Sequence, residues 1–324
     1  NPDPASRVLR LGGTSLVTPV SYYDYDMGAR DLRLVQRERI PGYDPAAYET
    51  RRLWIPARDG TAVPVTVAGR REVLERGGAP ALLFAYGAYG TSIPVYFDQS
   101  RLVLFERGWL YAMVHVRGGG ELGPAWHRAG RLGHKSRSIT DCIDAAEHLA
   151  RLGLVRPDRL CAESLSAGGL VLGAVMNRRP DLFRAVVLRE PFVDLLNSLS
   201  DPDLPLTVFE YGEWGDPRRP EEWAWMRAYS PYDNVAPRAY PHLLATAAWE
   251  DRQVPCWEQA KWVARLRASA VNRPRLLLVT QVQAGHGGPP GRYARLPDLA
   301  LIYTFLLDAV RAPDGSYTVD SAPG

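Results

Sequence analysis

From Pro80 onward the chain alternates between short unbroken apolar runs and longer segments whose apolar residues recur at helical spacing. ALLFAY (81–86) and WLYAMVHV (109–116) are near-continuous apolar runs, the pattern of strands buried on both faces of a parallel sheet. SITDCIDAAEHLARLG (138–153) sets Ile139, Cys142, Ile143, Ala146, Leu149 and Ala150 on one stripe, with Gly153 as a stop. RLCAE (159–163) predicts the next strand and AGGLVLGAVMN (167–177) the next helix. AVVL (185–188), HLLATAA (242–248) and RLLLVT (275–280) continue the strands, with helices over 256–268 and 292–310. Such alternation implies an α/β domain with a mainly parallel sheet and crossover helices.

Residues 1 to about 75 read differently, as strands and turns. SYYDYDMGARDLRLVQ predicts a hairpin around Gly28, and RRLWIPARDGTAVPVTV a hairpin turning at Asp59-Gly60. IPGYDP, Ile40 to Pro45, reads as a hinge between the two patterns.

Composition changes this picture little. With 324 residues, 46% hydrophobic and 23% charged, the chain is an ordinary globular protein able to bury one large core or two smaller ones. A net charge of +3 is too slight to argue for a nucleic-acid partner. Arginine supplies almost all of the basic residues, because Lys135 and Lys261 are the only lysines. Cys142, Cys161 and Cys256 are an odd number without paired spacing, which predicts free buried thiols in a reducing, cytoplasmic setting. No signal peptide and no long apolar run is present, so no membrane partner is expected. The chain starts at Asn1 without a methionine, so its true N-terminus is expected elsewhere.

The candidate chemistry lies in CAESLSAGGLVLGAV, Cys161 to Val175. A nucleophile on a strand-to-helix elbow usually reads G-x-S-x-G. Ser166 has the downstream Gly168, while Ser164 stands where the upstream glycine would be. Serine is nearly as small as glycine, and only Ser166 precedes x-G-G between a predicted strand and a predicted helix. Ser166 is therefore the candidate nucleophile and Ser164 a packing residue. A serine hydroxyl needs a histidine to take its proton and a carboxylate to orient that histidine. On a fold of this kind they follow in the order Ser, Asp or Glu, His, each after a strand. Asp251 follows HLLATAA, and His286 follows RLLLVT in the glycine-rich QAGHGGPPG. His115 and His242 fall in strand runs, His148 on a helix, His134 on the surface, and His127 before the nucleophile. No pair has metal-ligand spacing, so neither metal nor cofactor is expected. Stabilising the oxyanion takes two donors. The Ala167 N–H supplies one, and in FAYGAYGTS (84–92) either Tyr86 or Tyr89 can supply the other.

With these residues in view, the chain resembles the prolyl oligopeptidase family of serine peptidases, in particular its oligopeptidase B branch. The resemblance runs through RLWIPARDG, YGAYGTSI, VHVRGGGELGPAWH, SAGG, RPDLF, PFVD, EWGDP, YSPYDNV, AKWVARLR and AGHGG, over residues 40 to about 308. It implies an α/β-hydrolase fold with a mainly parallel sheet, capped by a β-propeller that admits only short peptides. It also implies Ser166, Asp251 and His286 as the triad and chooses Tyr86 as the oxyanion tyrosine. On this reading residues 1–40 are the remnant of a propeller blade and linker, 41–312 the catalytic domain and 313–324 a C-terminal tail. Most of the propeller is then missing, and it is the expected partner of this fragment.

The expected activity is hydrolysis of short peptides through an acyl-enzyme, after basic residues with a relaxed choice at P1, the residue whose carbonyl is attacked. The resembled branch reads a P1 cation with an E-x-E pair, whereas this chain has Glu210-Tyr211-Gly212. The aspartates of its neighbouring subsite correspond to Pro94 and Tyr96. Trp225 falls where prolyl oligopeptidases stack a tryptophan on a P1 proline, so Glu210, Tyr211 and Trp225 are the substrate-binding candidates. Three departures stand out: Glu250 directly before the triad aspartate, and Arg189-Glu190 before PFVD. Two close carboxylates would raise their apparent pKa, and Arg189-Glu190 call for mutual pairing or a pocket role. A prolyl-specific peptidase, an esterase on the same fold and a non-catalytic fragment are the alternatives.

Overall fold

The computed structural model describes residues 3–291 and 293–311, so the expected tail 313–324 lies outside the described residues. Strands β1 (Val8–Gly13), β2 (Ser21–Asp26) and β3 (Asp31–Arg37) form a small antiparallel sheet. Its β2–β3 turn is set by Asp26, whose Oδ1 accepts the N–H groups of Gly28 (2.8 Å) and Ala29 (2.9 Å), a side-chain turn of the kind aspartate favours. The second predicted hairpin joins β4 (Tyr48–Pro56) to β5 (Ala62–Arg70), with Gly60 at φ 81° in the turn. This hairpin does not remain with the small sheet. It forms the antiparallel edge of a second sheet of eight strands, ordered β11-β10-β9-β8-β6-β7-β5-β4.

The remaining strands follow one another with helices between them. After α1 (Arg71–Arg76) come β6 (Ala79–Ala85), α2 (Leu102–Phe105), β7 (Leu110–Val114), α3 (Pro124–Arg128) and α4 (Ser136–Arg151). Then follow β8 (Val155–Leu165), α5 (Gly168–Arg178) and β9 (Ala185–Arg189). Helices α6 (Leu195–Ser200), α7 (Thr207–Trp214) and α8 (Pro220–Tyr229) precede β10 (His242–Ala248), α9 (Cys256–Ser269), β11 (Leu276–Gln281) and α10 (Leu296–Ala309). Strands β6 to β11 are mutually parallel. The pleat sends alternate residues to opposite faces. Ala81, Leu83 and Ala85 of β6 face a core with α4, α5 and α9, while Leu82 and Phe84 face one with α10. Burying each large side chain in these layers stabilises the fold by about 1.5–3 kcal/mol. The same arrangement turns the C-terminal ends of β6, β8, β10 and β11 toward one edge, where open α/β sheets place their sites.

Several elements differ from expectation: strand β8 extends beyond RLCAE at both ends, and the short helices α1 to α3 and α6 to α8 have no counterpart in the apolar pattern. No helix among the described residues is long and apolar enough to cross a membrane.

Candidate active site

Ser166 sits between β8 and α5 with φ at 49°. A left-handed serine is strained, and three backbone hydrogen bonds hold it there. Its N–H donates to the Arg189 carbonyl (2.9 Å), and its carbonyl accepts from Gly169 (2.8 Å) and Phe192 (2.9 Å). The glycine pair is required by space. A Cβ on Gly168 would collide with Ser164 Oγ and approach the Ala85 carbonyl oxygen to 3.0 Å, and one on Gly169 would collide with Pro191. Ser164 is buried, and its Oγ donates to the Ala85 carbonyl at 2.6 Å. That bond ties the elbow to the end of β6, one residue before Tyr86.

His286 Nε2 lies 3.0 Å from Ser166 Oγ, and His286 Nδ1 lies 2.7 Å from Asp251 Oδ2. With Nδ1 donating to the carboxylate, Nε2 is left to accept the serine proton. The second oxygen of Asp251 accepts the N–H groups of Gln253 (2.8 Å) and Val254 (3.0 Å). Burial acts against ionisation of Asp251, but the His286 and backbone hydrogen bonds outweigh it and hold the carboxyl below its ordinary range. Glu250, which raised the prospect of repulsion, has an exposed side chain. Its N–H donates to the Ala284 carbonyl (3.1 Å), so this residue joins the aspartate loop to the histidine loop.

Tyr86 follows β6, and Ser166 is near enough to act on the ionisation of its hydroxyl. Burial first, and then the charge of Glu210, raise its pKa against the opposing effect of Ser166, so the hydroxyl keeps its proton and remains a donor. Ala167 caps α5, where the first N–H groups have no partner within the helix. Tyr89, the other tyrosine of the turn, donates to Glu210 Oε1 at 2.9 Å. Glu210 Oε2 accepts from Trp214 Nε1 at 3.0 Å. Burial raises the Glu210 carboxyl above its ordinary range, with both hydrogen bonds acting against it. The other two substrate-binding candidates are held by packing. Tyr211 donates to the Leu199 carbonyl (3.3 Å) under the Arg218 guanidinium, and Trp225 Nε1 donates to the Trp214 carbonyl (3.1 Å).

Sequence reasoning missed a buried network beneath these residues. Lys135 Nζ donates to the Gly87 carbonyl (2.9 Å) and to Glu213 Oε1 (3.1 Å), and lies 4.6 Å from the Trp214 ring centre. His127 Nε2 is 2.7 Å from the other Glu213 oxygen. Burial lowers the Lys135 pKa, with Glu213 opposing it. One ammonium thus braces both the turn after Tyr86 and helix α7, which carries Glu210. The one signal available was rarity, since the chain has only two lysines. Arg189 and Glu190 do not pair by a hydrogen bond. Glu190, at φ 41°, accepts from Thr246 Oγ1 (2.8 Å), while Arg189 Nε is buried without a hydrogen-bond partner among the described residues.

A hydroxyl, an imidazole and a carboxylate in one hydrogen-bonded chain, beside two candidate oxyanion donors, have the geometry of acyl transfer. Comparison with known proteins points the same way. Residues 95–312 match the sequence pattern described as the Prolyl oligopeptidase family. The chain is 40% identical over 309 residues to dipeptidyl aminopeptidase BI of Pseudoxanthomonas mexicana, covering 95% of this chain and 43% of that protein. It is 39% identical to protease 2 of Moraxella lacunata, covering 91% and 43%. Among solved structures, oligopeptidase B from Leishmania major superposes with a TM-score of 0.88 at 35% identity, over 94% of this chain and 43% of that one. Oligopeptidase B from Trypanosoma brucei, in a closed form with covalently bound antipain, gives 0.88 at 37% identity over the same shares. The chain therefore spans less than half the length of these relatives.

Proposed function

The chain belongs to the prolyl oligopeptidase family, and from that premise we propose that it is the catalytic part of a serine oligopeptidase that hydrolyses short peptides. The observation that carries this reading is the chain from Ser166 Oγ through His286 to Asp251. Ser166 Oγ attacks the scissile carbonyl as His286 Nε2 takes its proton, and Asp251 holds the resulting imidazolium. The Ala167 N–H and the Tyr86 hydroxyl stabilise the oxyanion. Collapse expels the amine, protonated by His286, and leaves an acyl group on Ser166. Water, deprotonated by the same imidazole, then releases the acid and restores the serine. The covalent antipain in the Trypanosoma brucei relative supports a covalent route here.

Glu210 supports cleavage after basic residues. Each of its oxygens already takes one hydrogen bond and keeps a lone pair for a cation. One carboxylate pairs with part of a guanidinium, so P1 Arg is cleaved best, Lys less well, and apolar residues slowly. The strands β1 to β3 are read as part of a propeller, and the eight-stranded sheet with its helices as the catalytic unit. The free thiols Cys142, Cys161 and Cys256 accord with a reducing, cytoplasmic setting.

The reading is tested by turnover of a P1-varied set of peptide amides. Hydrolysis of an activated ester without any peptide amide would replace the peptidase with an esterase, and a preference for P1 Pro over Arg would favour the prolyl-specific alternative. Glu210→Gln lowers the Arg-to-apolar ratio by about ten- to a hundredfold, the loss of one charge-assisted contact. Equal loss on all substrates would make Glu210 a support of the fold. In the wild type that ratio falls as pH falls, and it begins to fall above the ordinary glutamate value of about 4.3, because burial favours the neutral acid. Tyr86→Phe lowers kcat by about 10²–10³, as removal of an oxyanion donor does, and an unchanged rate would return Tyr86 to packing.

A further inference from the structure

On the sheet face covered by α10, strands β8 to β10 line a cavity of about 550 Å³, a volume typical of ligand sites. It adjoins the triad. Leu165 precedes Ser166, Gly287 follows His286, and Arg189 accepts the Ser166 N–H on its carbonyl; all three line the cavity.

The carboxylates in its wall are engaged. Glu163 accepts the Tyr111 hydroxyl (3.1 Å), Glu190 the Thr246 hydroxyl (2.8 Å), Asp98 the Ser100 hydroxyl (2.7 Å) and Asp298 the Gln281 amide (2.6 Å). Arg101 is engaged too. Its guanidinium lies 5.0 Å from the Tyr96 ring centre and 4.7 Å from that of Tyr111, and Nη1 donates to the Tyr96 carbonyl (2.8 Å). Arg189 differs, because its buried Nε has no hydrogen-bond partner among the described residues. Buried donors are nearly always satisfied, so an open one on a guanidinium marks a place where an acceptor arrives. Gln281 Oε1, also in this wall, is a buried acceptor without a partner. The two open atoms ask for an anionic acceptor and an N–H donor, both of which a peptide carries. Burial, opposed by the Thr246 hydrogen bond and by the charge of Arg189, raises the Glu190 carboxyl above its ordinary range.

We propose that this cavity is a substrate subsite for a carboxylate of the bound peptide, held by the Arg189 guanidinium. The inference deepens the peptidase reading and rests on it. A planar guanidinium holds a carboxylate by two parallel hydrogen bonds, whichever part of the peptide supplies it. Two sources have this chemistry: an Asp or Glu side chain near the scissile bond, and a free C-terminus shortly beyond it.

The test is kcat/KM on peptides that share P1 Arg and differ in two respects, Glu against Gln at the flanking positions and free acid against amide at the C-terminus. One carboxylate series is favoured about ten- to a hundredfold over its neutral counterpart. Glu over Gln with amidated ends identifies the side chain as the source, and acid over amide with Gln identifies the terminus. Arg189→Met removes the ratio and Arg189→Lys keeps part of it, whatever happens to the absolute rates. Equal rates across the set, or a ratio that survives in Arg189→Met, would overturn the subsite. Hydrolysis of the neutral peptide and fluorophosphonate labelling of Ser166 report separately on the peptidase reading. Binding of the same peptides to Ser166→Ala, followed by fluorescence anisotropy, carries the comparison without turnover, and equal affinities there count against the subsite in the same way.

Discussion

Ser166→Ala lowers turnover of a peptide amide by about 10⁴–10⁶-fold and abolishes labelling by a fluorophosphonate, whereas Ser164→Ala keeps both. The two serines are two residues apart but face different partners. Ser166 Oγ meets His286 Nε2 at 3.0 Å, while Ser164 Oγ is spent on the Ala85 carbonyl. Removing the nucleophile leaves only binding and the oxyanion donors, and residual rates in triad enzymes reflect that. Removing Ser164 leaves a buried carbonyl with one partner fewer, at a cost of about 1–3 kcal/mol in stability. Mass spectrometry of the labelled peptide decides the matter. A label that persists in Ser166→Ala would overturn the assignment.

His286→Ala produces a loss of the same order, and Asp251→Asn a loss of about 10⁴-fold in kcat, because the imidazole then takes the wrong tautomer. The geometry gives Asp251 little freedom: its side chain is fully buried, with Oδ2 on His286 and Oδ1 on two backbone N–H groups. The double variant Ser166→Ala/His286→Ala is expected to be no slower than either single variant, since the groups act as one unit. Multiplying losses would mean that the two residues work independently, and the triad would fall. His134→Ala serves as the control, because His134 is exposed and ends a short 3-10 helix, Leu132–His134, before α4.

Strands β6, β7, β9 and β10 were legible because they are buried on both faces and therefore read as unbroken apolar runs. Each triad candidate was legible because it follows a predicted strand. Helices α6 to α8 were not. They are short, broken by Pro205, Gly215 and Pro217, and α7 leaves Val208 and Phe209 exposed, so no apolar stripe announces them. Tyr86 and Tyr89 could not be separated by residue type, because both lie in one glycine-rich turn. Only the folded chain commits the Tyr89 hydroxyl to Glu210 and leaves that of Tyr86 beside Ser166. Lys135 was illegible for a similar reason, since its partners lie 48 and 78 residues away. Arg189 and Glu190 could be flagged as departures, but not sorted into a filled partner and an open one.

The brace at Lys135 has a consequence for how such a protein can change. A single ammonium holds the carbonyl that follows Tyr86 and, through Glu213, the helix that carries Glu210. On the proposed assignment, shifting α7 to admit a different side chain therefore pulls on the turn after Tyr86, and retuning that turn disturbs the pocket at Glu210. In directed evolution this coupling appears as epistasis. Pocket substitutions cost turnover before they confer a new preference, and lineages that recover speed acquire second-site changes around 127, 135 and 213, away from any surface that touches the peptide.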